Sequence, residues 1–139
     1  MRRLAILVAA MAIGSCTPAP LAQTRQYNPT ITRDAYGVPN VHGRDDQEAA
    51  YGIGYAHAED NFATIQLVVL AARGRLGAHL GEEGAKSDFL WHLLGIREAV
   101  DAGFETRVSP EFRAVAQGYA DGLNAYAAQH PAEVLPGAR

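Results

Sequence analysis

The hydrophobic pattern of this chain changes rhythm three times. It opens with an unbroken apolar run, Leu4 to Ile13. Two short β-branched stretches, Thr30–Asp34 and Val38–His42, then flank Asp34-Ala35-Tyr36-Gly37. Glycine takes φ > 0 without steric cost, and Pro39 holds Val38 extended, so this pattern predicts a hairpin. Pro39 has no N–H to give to a ladder, which puts the second strand at an edge or makes the proline its first residue.

From Asp46 onward the rhythm is helical. Asp45 stands three residues before Glu48, as in a capping box, and a first helix is predicted from Asp46 to Glu59. Gly52 and Gly54 inside it cost roughly 1 kcal/mol each against alanine, a loss that makes sense where something packs close to the backbone. Asp60 is placed to cap a second helix, whose stripe is Phe62, Ile65, Val69, Leu76 and Leu80, with Arg73 and Arg75 facing elsewhere and Gly81 ending it. Gly81-Glu82-Glu83-Gly84 reads as a polar loop. A third helix follows from Ser87-Asp88, with Phe89, Leu93, Ile96 and Val100 on one face. Ser109-Pro110-Glu111 is an N-cap, a first-turn proline and an acid. That helix carries Phe112, Val115, Ala116, Tyr119, Leu123 and Tyr126, and Pro131 ends it. The fold class is α+β: an N-terminal hairpin followed mainly by helices, with residues 31–61 as the packing hub.

The opening run lies outside this body. Arg2 and Arg3 precede ten apolar residues, too few for a bilayer-spanning helix, which needs about 20, but suited to a signal-peptide core. Ile13-Gly14-Ser15-Cys16 is similar to a bacterial lipobox, in which Cys16 would be lipidated and become the mature N-terminus. Cleavage after Ala22 is the alternative and places Pro20 at minus three. Residues 1–15 are therefore assigned to a lipoprotein-type signal, 16–29 to a flexible tether rich in Pro, Ala, Thr and Gln, and 30–139 to the domain. The membrane enters only through that anchor. Cys16 is the single cysteine, so no disulfide forms within the chain.

Twelve basic against fifteen acidic residues leave no basic stripe for phosphates, which excludes a nucleic-acid partner. His57-Ala58-Glu59-Asp60 lacks a second histidine at helical spacing and reads as a helix-end charge feature. Gly52-Ile53-Gly54 lacks the third glycine and the strand-to-helix turn of a dinucleotide site. Ser15, Ser87 and Ser109 are the only serines, and none sits in a nucleophile elbow. His42, His79, His92 and His130 are scattered, and Tyr51, Tyr55, Tyr119 and Tyr126 fall at core spacings. These residues make a scaffold without a self-contained active site, cofactor site or metal site.

Ile31-Thr32-Arg33-Asp34-Ala35-Tyr36-Gly37-Val38-Pro39, Tyr51-Gly52-Ile53-Gly54-Tyr55 and Ala58-Glu59-Asp60-Asn61 resemble the start of the penicillin acylase family. Ala72-Arg73-Gly74-Arg75-Leu76, Leu80-Gly81, Ser109-Pro110-Glu111 and the stretch Gln117 to Tyr126 are similar to its next landmarks. The resemblance is colinear from Ile31 to Leu135. Asn40 and His92 depart from it, at positions that look structural.

The resemblance implies an exported amide hydrolase on a four-layer αββα N-terminal nucleophile hydrolase fold. Such a precursor cuts itself into α and β chains, and the new N-terminal serine of the β chain attacks the amide, its own amine acting as base. This chain matches only the start of the α chain. The nucleophile, the oxyanion donors and calcium ligands are expected after Arg139. The substrate class implied is an acylated small-molecule amide, such as a β-lactam antibiotic or an acyl-homoserine lactone. The rival readings are a catalytically inactive, membrane-tethered binding module on the same scaffold, and a truncated reading frame that does not fold alone.

Overall fold

A computed structural model describes residues 25–137. The signal segment and Cys16 lie outside the described residues. Strands β1 (Thr30–Arg33) and β2 (Pro39–His42) pair antiparallel, Ile31 opposite Val41. The Asp34 carboxylate accepts from the amides of Tyr36 (2.8 Å) and Val38 (2.9 Å), closing the turn, and Gly37 has φ +84°. Pro39 opens its strand, where its missing N–H costs no ladder bond.

Helix α1 (Asp46–Ala72) starts at Asp45, whose side chain accepts from the Glu48 amide at 2.9 Å. As the sequence predicts, it is built of two helical segments, which meet at a kink at Asn61. Asn61 leaves helical geometry (φ −155°, ψ 41°), and Asp60 pairs with Arg33 instead of capping. The helix also stops earlier than Gly81. The Arg75 amide turns back to the Leu70 carbonyl at 2.8 Å, and Gly74 takes φ +61°. A short helix α2 (Gly77–Leu80) follows.

The predicted loop Gly81–Gly84 is instead the start of α3 (Glu82–Leu93). Asp88, expected near that helix's beginning, lies inside it, and its carboxylate accepts from the amides of Leu76 and Gly77, both at 2.7 Å. Gly95, with φ +60°, separates α3 from α4 (Ile96–Arg107), so the predicted Phe89-to-Val100 face is broken in the middle. Phe89, Leu93 and Val100 are exposed, not buried.

Helix α5 (Pro110–Gln129) begins as predicted, with Ser109 Oγ accepting from the Phe112 amide at 3.2 Å. Its contacts advance in the same direction along α1: Gly118 meets the Gln47 carbonyl, Gly122 the Tyr51 carbonyl, and Gln129 the Tyr55 hydroxyl. The two helices therefore run parallel. A Cβ on Gly118 or Gly122 would lie under 3.0 Å from those carbonyl oxygens, and one on Gly54 would do the same at Tyr119. Bare backbones touch, so the glycines are required by packing. Parallel alignment also brings two positive helix N-termini to one end, where Asp46, Glu48 and Glu111 supply compensating negative charge.

Helix α1 is buried on two sides. Gly52 faces Val41 and Pro29 near the hairpin, while Gly54 faces α5. This explains why Glu48, Ala50, Gly52, Gly54, Ala56 and Ala58 are all buried, a pattern no single helical stripe produces. Around the kink, Ala58, Phe62 and Tyr126 form the core with Tyr55, Leu123, Ala127 and Val134.

Candidate functional site

Two constructions stand out, a clamp at the start of α1 and a groove beyond its kink. At the clamp, Glu48 is fully buried. Its carboxylate accepts from the Arg44 amide (2.7 Å), the Asn28 amide (2.9 Å) and the Arg44 guanidinium (2.6–3.0 Å). The Arg44 side-chain bonds, then the two backbone amides, hold its carboxyl far below the usual glutamate range. In a capping box Glu48 would reach back to the Asp45 amide; here it ties the incoming chain to the helix.

Neighbouring side chains extend the clamp. Tyr27 stacks on Tyr51 at 4.4 Å, donates to Asp121 at 2.8 Å and accepts from Gln47 at 2.9 Å. Arg25 pairs with Asp45. The last residues assigned to the tether, 25–29, are thus docked across α1 and α5. Sequence reasoning missed this, although the Arg44–Glu48 spacing is a visible signal of an ion pair.

The groove lies between the second half of α1, α5 and Val134, which follows the short 3-10 turn Pro131–Glu133. It encloses about 230 Å³, with Phe62, Ile65, Val69, Leu123 and Val134 as apolar walls and Arg73 and Asn124 at its polar edge. Gln66, buried in its floor, donates to the Glu133 carbonyl (3.0 Å) and accepts from the Leu135 amide (2.7 Å). That pair of bonds fixes the descending chain as one wall. Arg73 has no carboxylate partner among the described residues. The groove can accept an apolar group and offers a cation at its edge, but it holds no nucleophile beside a base.

The other residues weighed from the sequence are dispersed. His57 Nδ1 lies 3.2 Å from the Tyr119 hydroxyl, while Glu59 and Asp60 both bind Arg33. His92 faces the Gly74 carbonyl and His130 the Tyr126 carbonyl. Ser109 is engaged as a cap, and Ser87 lies in the middle of α3 rather than at its start. Among the described residues no three His, Cys, Asp or Glu side chains converge on a metal position.

Residues 28–138 match the penicillin amidase family. The acyl-homoserine lactone acylase PvdQ of Pseudomonas fluorescens is 32% identical over 124 residues, covering 84% of this chain and 16% of that protein. The penicillin acylase 2 proenzyme of a Pseudomonas species is 30% identical over 98 residues, covering 70% of this chain and 12% of the relative. Among solved structures, a thermostable penicillin G acylase from Alcaligenes faecalis superposes with a TM-score of 0.69 at 27% identity, covering 81% of this chain and 60% of that one. The chain thus spans less than a fifth of the length of these curated relatives. With its hairpin, its parallel helix pair and the blocks that join them, the chain belongs to the penicillin amidase family.

Proposed function

We propose that these residues are the opening scaffold of an exported acylase that hydrolyses the amide of an acylated small molecule. The family match across residues 28–138 carries this reading. The relatives are named for two substrate classes, acyl-homoserine lactones and penicillins, and the proposal extends to an amide of this kind. The reaction is acyl transfer to a serine at the N-terminus of a β chain from the same precursor. The serine oxygen attacks the carbonyl, its α-amine takes the proton and passes it to the leaving amine, and water then releases the acid. These residues position that machinery without entering it. Export relies on the apolar run Leu4 to Ile13, and anchoring on Cys16. Calcium, where the whole enzyme uses it, is held by other residues.

The test is to express the full open reading frame and incubate the product with N-acyl-homoserine lactones and with penicillin G. Appearance of the free amine and the free acid is the expected result. A purified, folded product that releases neither supports the inactive binding module instead. The 139-residue chain alone is expected to show no turnover, and amide hydrolysis by it overturns the scaffold assignment.

A further inference from the structure

Helix α1 bends at Asn61 without the residues that ordinarily bend a helix. Sharp kinks fall at proline, at glycine or serine pairs, or where a side chain enters the ladder. No proline, glycine or serine stands between Tyr55 and Ala72. Asp60 and Asn61 are weak helix formers but not breakers. The local device that would open a new helix, the Asp60 carboxylate as its cap, is not used, because Arg33 takes both of its oxygens.

Arg33 stands on β1, 26 and 27 positions before the two acids it binds. Its guanidinium grips Asp60 as a fork, Nη1 to Oδ2 at 3.1 Å and Nη2 to Oδ1 at 2.9 Å. Nη2 also donates to Glu59 at 3.0 Å, and Nη1 to the Gly37 carbonyl at 2.8 Å. A forked arginine–carboxylate pair fixes direction as well as distance. One side chain thus joins the hairpin turn to the last turn of α1 before the bend. On the two sides of that bend α1 meets α5 differently. Before it, backbones touch at Gly54, Gly118 and Gly122. Beyond it the groove of about 230 Å³ opens between the helices, and Gln66 holds the chain at Glu133 and Leu135.

We infer that Arg33 is a conformational latch: its grip on Glu59 and Asp60 sets the direction of α1 beyond Asn61, and so couples the hairpin to the groove and to the chain at Leu135. Asn61 is the hinge, a single position that absorbs the change in backbone angles. The half of α1 before it is held by the glycine contacts with α5, so opening the latch moves the far half. The latch is open to salt. The side chains of Arg33, Glu59 and Asp60 are 33%, 39% and 49% exposed, and screening at 1 M ionic strength acts over about 3 Å. The clamp on the fully buried Glu48 is screened much less and serves as an internal reference.

Hydrogen exchange read by mass spectrometry on the full-length protein tests this. Arg33→Gln removes both ion pairs, and Arg33→Lys keeps the charge without the fork. In the glutamine variant, residues 61–66 and 133–135 are expected to exchange about 10-fold or more faster while residues 46–56 keep the wild-type rate, with the lysine variant in between. Where the glutamine variant does not fold, wild type in 1 M sodium chloride replaces it and the same pattern is expected. Acceleration confined to the hairpin, residues 30–42, overturns the coupling. Unchanged exchange assigns the bend to the helix's own residues and its core contacts, and overturns the latch. Uniform acceleration that includes residues 46–56 makes Arg33 a general stabiliser and overturns it as well.

Discussion

Gly122 and Glu48 show how much single residues decide here. The Tyr51 carbonyl lies over Gly122, where an alanine Cβ has no room. Gly122→Ala is expected to force the helices apart at a cost of about 3 kcal/mol, read by urea unfolding of the full-length protein. Gln117→Ala, on the exposed face of the same helix, is the control and should stay close to wild type. Glu48 gives a pH signature. Its folded carboxyl titrates below the ordinary value of 4.5, so its stabilisation is complete above pH 4.5 and drains away as the pH falls below it. Glu48→Gln is therefore expected to lower Tm at pH 7, with the difference from wild type shrinking toward pH 3. A difference that stays constant with pH refutes the ionic clamp. The Asp45 and Ser109 caps were legible in the sequence because donor and acceptor are three residues apart. The partner of Gly122 was not, because it lies 71 positions away.

At the scale of elements, the docked segment 25–29 and the helix boundaries carry the argument. Tyr27→Ala removes a ring stacked on Tyr51 and a hydroxyl bonded to both Asp121 and Gln47. A loss of about 2 kcal/mol is expected, and Tyr27→Phe should keep the stack and recover roughly half of it. Equal stability of Tyr27→Ala and wild type in denaturant titrations overturns the docking of this segment. Ser109→Ala should cost about 1 kcal/mol by the same measurement, because α5 loses its N-cap. Periodicity located α5 and the first half of α1 well. It misplaced the region 73–95, where apolar residues recur at helical spacing but glycines at 74, 81 and 95 adopt positive φ. Positive φ at a glycine interrupts a helix without disturbing the hydrophobic rhythm that predicts it.

For the whole molecule, the exposed apolar side chains at the end of α3, Phe89, Leu90, Leu93 and Leu94, bear on behaviour in solution. The 139-residue chain expressed alone is expected to bind a hydrophobic dye and to self-associate in light scattering. Phe89→Ser with Leu93→Ser should reduce both, since it removes the most exposed apolar side chains of that face. Unchanged scattering in the double variant places the association elsewhere. The sequence pattern treated Phe89 and Leu93 as core because apolar residues on one helical stripe are usually buried. Their exposure here follows from the orientation of α3, which Gly84 and Asp88 fix by packing on α2.

The sequence by itself determined the hairpin, the caps of α1 and α5, the close approach at Gly52 and Gly54, and the family. Each of these is written within a few neighbouring residues or in the order of short blocks. Only the tertiary structure decided which backbone meets each glycine, that α1 and α5 run parallel, that Glu48 binds Asn28, and which face of α3 turns outward. The face of α3 is set by contacts 7 to 12 positions apart, and the other features join residues from 20 to more than 70 positions apart. Local propensity has no information across such distances, and packing alone selects the pairing.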